Sequence, residues 1–311
     1  MTDLVDGGSG CLVSGQSISP DRRSLTFTAI FRVEPGDIVG GTAAQAVWVV
    51  GVDGQGFRRL TPPLRNTDTG EACTSNADCQ APTFCGPAQV CRLGISVSDV
   101  DDPVWTVDAS QVLFNIGKFT TVNGDLTGGT YPWIVSAAGG FPTPTLAVQG
   151  CTIVSAVSPD PMGTGFVANH QVCLPGTEPG LYLHAFAGGD PTKLVTKTTS
   201  SVDPVQEPPW WLEDGSGFVF AGTGMLPVGG QVTYATGGYA FDMTTKSVSP
   251  IIAPPTTDAI VSSIAIARDG KFLAYCLTSG GASDIVVVDL RPKPATTFMA
   301  TTDGKSCFPS F

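Results

Sequence analysis

Three groups of residues in this 311-residue chain have types and spacings that could do chemistry. Cys73, Cys79, Cys85 and Cys91 fall in GEACTSNADCQAPTFCGPAQVCRLG with five residues between each and the next. Four thiols so placed either ligate a soft metal or close two disulfides. Structural zinc sites pair close cysteines or add histidine, and this segment does neither, so two disulfides are expected. Four cysteines allow three pairings, of which Cys73–Cys85 with Cys79–Cys91 is preferred. Among the rest, Cys151 and Cys173 bracket a hairpin and could bridge it. Cys276, within LAYCL, reads as a buried free thiol, a role cysteine fills well.

The second group is acidic. SVSDVDDPVW offers Asp99, Asp101 and Asp102, and SSVDPVQEPPWW offers Asp203 and Glu207. Alternating carboxylates in a loop suit calcium, a hard ion that takes oxygen ligands. No complete loop ligand set is present, and solvated turn residues are the commoner reading. The third group is the two histidines, His170 and His184. Neither sits in an HExxH arrangement or beside a nucleophile motif. No carboxylate pair marks a glycosidase, so no catalytic residue is assigned, and no cofactor beyond calcium is considered.

The elements that must position these residues are strands. Gly and Pro number 38 and 25, only 14% of residues are charged, and no long stretch has a 3.6-residue period. Many short strands joined by turns follow from such a composition. VWVVGVDGQGFRRLTPP, Val47 to Pro63, reads as strand, turn, strand, its Asp53-Gly54 supplying the positive φ of a tight hairpin. This hairpin is half of a longer unit that begins at SISPDRRSLTFTA. The same order returns from VWTVDASQVLFNIG, IVSAVSPDPMGTGFVAN, PPWWLEDGSGFVFAG and SSIAIARDGKFLAYCLT. A four-stranded unit recurring at this spacing is the mark of a β-propeller.

The pattern of strand, SPDG-like turn, strand, loop, strand, Gly-rich turn and RRLT resembles the TolB-like propeller repeat, also called the PD40 or WD40-like repeat. Ser19-Pro20-Asp21 with Val47 to Thr61 carries it, as do Ser158-Pro159-Asp160 with Gly188-Gly189-Asp190; Asp214-Gly215 and Asp269-Gly270 are weaker copies. The second repeat departs, with Val107-Asp108-Ala109. The resemblance implies an all-β fold: a single propeller domain over 1–311 with five four-stranded blades and the first strand of a sixth. The cysteine-rich insertion, 66–94, resembles small modules of exported proteins from Gram-negative bacteria. Trp105, Trp210 and Trp211 open first strands, where they either pack between blades or stack on a ligand at a channel mouth. The resemblance says little about activity, because the repeated residues are turn and core positions.

A net charge of −11 disfavours nucleic acid and anionic membranes as partners, and no apolar run is long enough to span a bilayer. Nine cysteines point to an oxidising compartment, hence a periplasmic, cell-surface or extracellular location. The expectation is a non-enzymatic binding or scaffold module for a protein or glycan partner, with self-association as a further expectation. The alternatives are a structural subunit of an extracellular assembly and a polysaccharide hydrolase or lyase using loop carboxylates. The long connections, 118–130 and 223–238 among them, lie opposite the tight turns, so the ligand is expected on the side carrying Phe119, Tyr234 and the cysteine module.

Overall fold

The computed structural model describes residues 13–30, 38–39, 42–43, 45–61, 67–75, 78, 83–85, 90–93, 99–122, 125–145, 151–267, 269–292 and 295–307. Side chains are described for these apart from 13–14, 30, 38–45, 67–71, 83–99 and 118–128. The chain divides into two compact units, Met1–Val148 and Gln149–Phe311. In the first, blade one pairs β1 (Val13–Ile18), β2 (Ser24–Ile30), β5 (Gln45–Gly51) and β6 (Arg58–Arg59) in that order, with the short pair β3 (Ile38–Val39) and β4 (Thr42–Ala43) between β2 and β5. The insertion forms its own sheet, β7 (Thr67–Ala72), β8 (Thr83–Cys85) and β9 (Val90–Leu93), with β9 in the middle. Blade two follows as β10 (Asp99–Trp105), β11 (Gln111–Val122), β12 (Asp125–Ser136) and β13 (Thr143–Pro144).

The second unit holds three blades. Blade three is β14 (Cys151–Pro159), β15 (Gly165–Cys173), β16 (Gly180–Ala185) and β17 (Thr192–Thr196), followed by the one-turn helix α1 (Lys197–Ser200). Blade four has a first strand broken into β18 (Asp203–Pro204) and β19 (Trp210–Trp211), then β20 (Gly217–Val228), β21 (Gln231–Asp242) and β22 (Ser247–Ile252). Blade five is β23 (Ile260–Ile266), β24 (Phe272–Ser279), β25 (Ala282–Asp289) and β26 (Thr296–Met299). Pairing within the blades is antiparallel, and in blade four both pieces of the first strand pair with β20.

One turn recurs five times. The N–H of Ser19, Thr106, Asp160, Leu212 and Ala267 each donates to the carbonyl five residues on, at 2.8–3.0 Å. Three residues into each turn stands a positive φ, at Arg22, Ala109, Gly163, Gly215 and Gly270. In four of the five an Asp two residues in accepts from the N–H two residues later: Asp21 from Arg23, Asp108 from Ser110, Asp214 from Ser216, Asp269 from Lys271. An Asx turn of this kind substitutes a side chain for a missing backbone acceptor. The second repeat therefore keeps the turn it lacked by name, with Thr106 Oγ1 bonding Asp108 at 2.7 Å as Ser19 Oγ bonds Asp21 at 2.5 Å.

The third repeat corrects the sequence alignment. Asp160 occupies the place of Ser19, not of Asp21: it opens the turn and accepts from Thr164 N–H and Oγ1 at 3.1 and 2.7 Å. Two Ser-Pro-Asp triplets thus sit two residues out of phase. A second tie closes the same end of each blade. The residue after the third strand (Val52, Ala137, Phe186, Met243, Leu290) donates its N–H to the carbonyl of Arg23, Ser110, Thr164, Ser216 or Lys271 at 2.8–3.0 Å.

First strands also share a defect. Register shifts fall at Gly15, Asp102, Ala156 and Ser263, all with positive φ and all four residues before the turn. The fourth blade breaks its first strand at the same point. There Asn169 Nδ2 bonds Val205 O at 2.8 Å, Gln206 Nε2 bonds Ser155 Oγ at 3.3 Å and Ser263 Oγ bonds Glu207 at 2.8 Å. The break lets one segment satisfy polar groups of both neighbouring blades.

Burial follows from blade against blade. Val47, Val49 and Leu60 of blade one pack with Val100, Trp105, Phe114 and Val135 of blade two. In the second unit Val167, Leu181 and Val195 meet Phe218, Phe220, Tyr239 and Phe241, and Val219 and Ala221 meet Val261, Ile264, Leu273 and Val286. Each fully buried Phe or Leu contributes about 2–3 kcal/mol through removal of apolar surface from water. No helix among the described residues is long and apolar enough to cross a membrane.

Candidate functional site

The sequence placed chemistry at cysteines, acids, histidines and tryptophans, and the structure distributes them widely. Cys73 is disulfide-bonded. Cys85 and Cys91 stand opposite each other in β8 and β9, and their side chains, like Cys79, lie outside the described residues. Cys151 and Cys173 are cross-strand neighbours and are bonded. Cys276 is not a free thiol; it is bonded to Cys307. The segment before Cys307 turns back on blade five, where Gly304 N donates to Asp284 at 3.0 Å and Gly304 O accepts from Ser283 at 3.0 Å. Nothing in the LAYCL pattern announced that return, because it depends on a contact over 31 residues.

The acids do not form a loop. Asp99, Asp101 and Asp102 lie inside β10, opposite Gly117 for Asp99 and Asn115 for Asp101, and the bulge at Asp102 carries the positive φ. Asp203 lies in β18 opposite Thr223. Among the described residues no group of three or more His, Cys, Asp or Glu gathers as a metal would require.

The three tryptophans singled out in the sequence all take part in packing. Trp105 is buried and its indole N–H donates to Ser17 O at 3.2 Å. Trp211 does the same to Ser158 O and lies edge-on to Phe218, while Trp210 packs on the cluster shared with blade five. Ligand stacking is not open to Trp105, whose ring is enclosed by the blade one–blade two core.

The two histidines, 14 residues apart, meet on one face of blade three, Nε2 to Nε2 at 2.9 Å. Their ring centroids are 5.0 Å apart with planes tilted by 28°, the separation of two imidazoles bonded edge to edge. His184 stacks on Phe166 and His170 on Tyr182. Burial pushes His170 down to about 4 and, with the neighbouring ring, His184 down to about 3. Both rings are neutral near pH 7, one donating and one accepting. The two Nε2 atoms occupy each other, while His184 Nδ1 is buried without a hydrogen-bond partner among the described residues.

Several apolar side chains are exposed, Met162, Val172 and Leu174 among them, and one group of them lies on a long hairpin. Strands β20 and β21 run 12 residues each and outreach their blade, since β22 covers β21 only as far as Gly238 and β18 covers β20 only as far as Thr223. Sequence reading took 223–238, like 118–130, for a loop. Both are instead continuous strand pairs, Thr223↔Thr236 to Val228↔Gln231 and Lys118↔Gly129 to Val122↔Asp125. The overlooked signal was Gly229-Gly230, whose φ values of 58° and 85° make the two-residue turn that continues a ladder. Phe119 lies in the corresponding arm of blade two, opposite Gly128; its side chain is outside the described residues.

The blade-four arm has two unlike faces. Leu226, Val228 and Ala235 are buried in the core that contains Val195, Val202 and Tyr239. A Cβ on Gly224 would approach Tyr239 Oη to 2.8 Å, and one on Gly237 would approach Leu226 to 2.4 Å, so glycines let the arm seat closely. Met225, Val232 and Tyr234 expose 57%, 68% and 54% of their surfaces, and Pro227 is also exposed. From Gly215 to Phe241 there is no charged residue. Of this stripe the sequence had singled out Tyr234 alone.

Comparison with known proteins bears on the fold. No protein-family sequence model and no curated protein matches the chain. Among solved structures it is similar to TolB from Acinetobacter baumannii, with TM-score 0.54 and 13% identity over 96% of this chain and 55% of that one. A putative TolB from Agrobacterium tumefaciens gives 0.54 and 12% over 93% and 80%. The fold is a TolB-like β-propeller. An oligogalacturonate lyase from Vibrio parahaemolyticus shares the propeller at TM-score 0.53 and 11% identity, over 92% of this chain and 68% of that one, so the TolB-like propeller alone does not choose between binding and catalysis. This chain spans about half the length of the Acinetobacter protein. Its disulfides are those of an oxidising compartment.

Proposed function

We propose that this chain is an exported, non-enzymatic propeller that binds another protein through the blade-four arm. The observation that carries the reading is the exposed apolar stripe of Met225, Pro227, Val232 and Tyr234 on a braced, uncharged hairpin. Apolar groups held rigidly in water cost little entropy on docking and gain from burial. The opposite end of each blade supports the assignment by contrast: its turns spend their polar groups on one another. A periplasmic or cell-surface setting fits the disulfides, with the partner in the same compartment.

The test is a binding comparison between arm and turn variants. Wild-type protein, Val232→Asp/Tyr234→Arg and Asp53→Lys are used as bait on extract from the native compartment, alongside a glycan array and a polyuronate turnover assay. Retention of the same protein partner by wild type and Asp53→Lys, with loss in the arm variant, is the expected result. Polysaccharide cleavage in excess over protein would overturn the reading, and so would a partner indifferent to the arm.

A further inference from the structure

We propose that the arm binds its partner by strand addition: an extended segment of the partner pairs with the free edge of β21 at Val232, Tyr234 and Thr236. This rests on the protein-binding reading above and specifies its mode. The ladder itself identifies these residues. Val228 and Gln231 close a two-residue turn and are therefore a hydrogen-bonded pair. Antiparallel pairs alternate from there, so the N–H and C=O of Val232, Tyr234 and Thr236 point away from β20. The alternation is confirmed lower down, where Gly238, Ala240 and Asp242 face β22, and where Pro250 falls opposite the inward-facing Tyr239. β22 ends at Ile252 before Ala253-Pro254-Pro255, leaving the next three outward positions without a strand. Among the described residues none of the three makes a backbone bond outside the hairpin.

The two edges of the arm are treated differently. On β20 the outward positions are Met225 and Pro227, and Pro227 has no N–H to offer, the device that blunts an edge. On β21 no proline, charge or register shift interrupts residues 231–237. One edge is closed and the other is open, and the open one carries the exposed side chains of Val232 and Tyr234. An incoming strand would gain main-chain bonds from the edge and apolar contact from the same two residues.

The occupant is a segment of another protein and not a second copy. The stripe is four side chains, too few for a face-to-face pairing of copies, since a stable interface takes roughly 20–30 residues a side. A net charge of −11 makes copies repel one another. Strand addition needs little area because the main chain supplies much of the affinity. The segment should alternate apolar side chains with others and carry no net negative charge.

A random peptide library displayed on phage is panned against the full chain, and enriched peptides are tested on three proteins: wild type, Val232→Pro and Tyr234→Arg. Val232→Pro removes one outward N–H at the position facing Pro227, where proline is already accommodated. The expected result is alternating apolar peptides that slow hydrogen exchange at Val232, Tyr234 and Thr236 and bind Val232→Pro about tenfold more weakly. Peptides lost with Tyr234→Arg but undiminished by Val232→Pro would overturn strand addition and leave side-chain docking standing. Protection of the same amides by protein concentration alone would replace the partner by a second copy and overturn the proposal, as would failure of any arm-dependent peptide to enrich.

Discussion

The indole N–H of Trp211 donates to the main-chain carbonyl of Ser158 across 3.2 Å, from the first strand of one blade to that of the blade before it. Trp105 and Ser17 repeat the relationship in the other unit. Blades of a propeller share few main-chain bonds, so a tryptophan that joins apolar packing to a directed bond fixes their relative height. Trp211→Phe keeps most of the ring and loses the donor. Urea unfolding should show a loss of about 1–2 kcal/mol, the cost of a half-buried carbonyl left without its partner. Stability within experimental error of wild type would remove the bond from the account.

The recurring turn gives opposite expectations for two of its members. Arg22 is exposed with φ 59°, a conformation that costs an L side chain about 1 kcal/mol and glycine nothing. Arg22→Gly should therefore stabilise the first unit by about 0.5 kcal/mol after the greater unfolded-state freedom of glycine is deducted. Gly215 has φ 70°, and a Cβ there would meet only ordinary contacts, 3.4 Å from Met162. Gly215→Ala should cost about 1 kcal/mol through backbone strain alone. Thermal unfolding of both variants checks the sign, and a shared direction would contradict the turn analysis.

Turn chemistry is also why so much of the fold was legible in the sequence. Asp-Gly and Ser-Pro-Asp are local signals, and they recur at the phase of the blades, so strands and their order could be read directly. Where the signal was borrowed it misled: Asp160 imitates Asp21 by name but acts as Ser19 does, because its carboxylate caps Thr164. The candidate site was less legible. Tyr234 was found through loop length, yet its neighbours Met225 and Val232 acquire meaning only from the register set by Gly229-Gly230. The Cys276–Cys307 bond and the His170–His184 pair depend on contacts that no local pattern encodes.

The cysteine-rich insertion begins and ends side by side. Thr67 pairs with Leu93 and Asp68 with Arg92, so the first and last strands of the insertion lie side by side. Its sheet is separate from that of either flanking blade. Replacing residues 67–93 by Gly-Ser should leave the propeller folded, with the urea midpoint of the remainder changed little, as loop closure across so short a gap costs little. Circular dichroism and limited proteolysis of the shortened chain are the measurements. Collapse of the remaining strands would show that the insertion is part of the propeller core.

The histidine pair predicts how stability depends on acid. In the folded chain both rings sit below the ordinary value of 6.5, His170 at about 4 and His184 at about 3, chiefly because burial penalises the charged form. The unfolded chain protonates both near 6.5. Below that pH the unfolded state binds more protons, so stability is full above 6.5 and falls as pH drops towards 4. With two protons taken up on unfolding, the slope approaches about 2.7 kcal/mol per pH unit. The turn carboxylates do not confuse this window. Asp21, Asp108, Asp214 and Asp269 are held below the usual range by hydrogen bonds, from the Ser19 hydroxyl first for Asp21, and they lose stability only below about 4. Urea unfolding at pH 7.5 and pH 5 should show a large fall for wild type and a much smaller one for His170→Gln/His184→Gln, whatever that variant's stability at neutral pH. Equal falls in the two proteins would mean that the pair is already open to protons in the folded state.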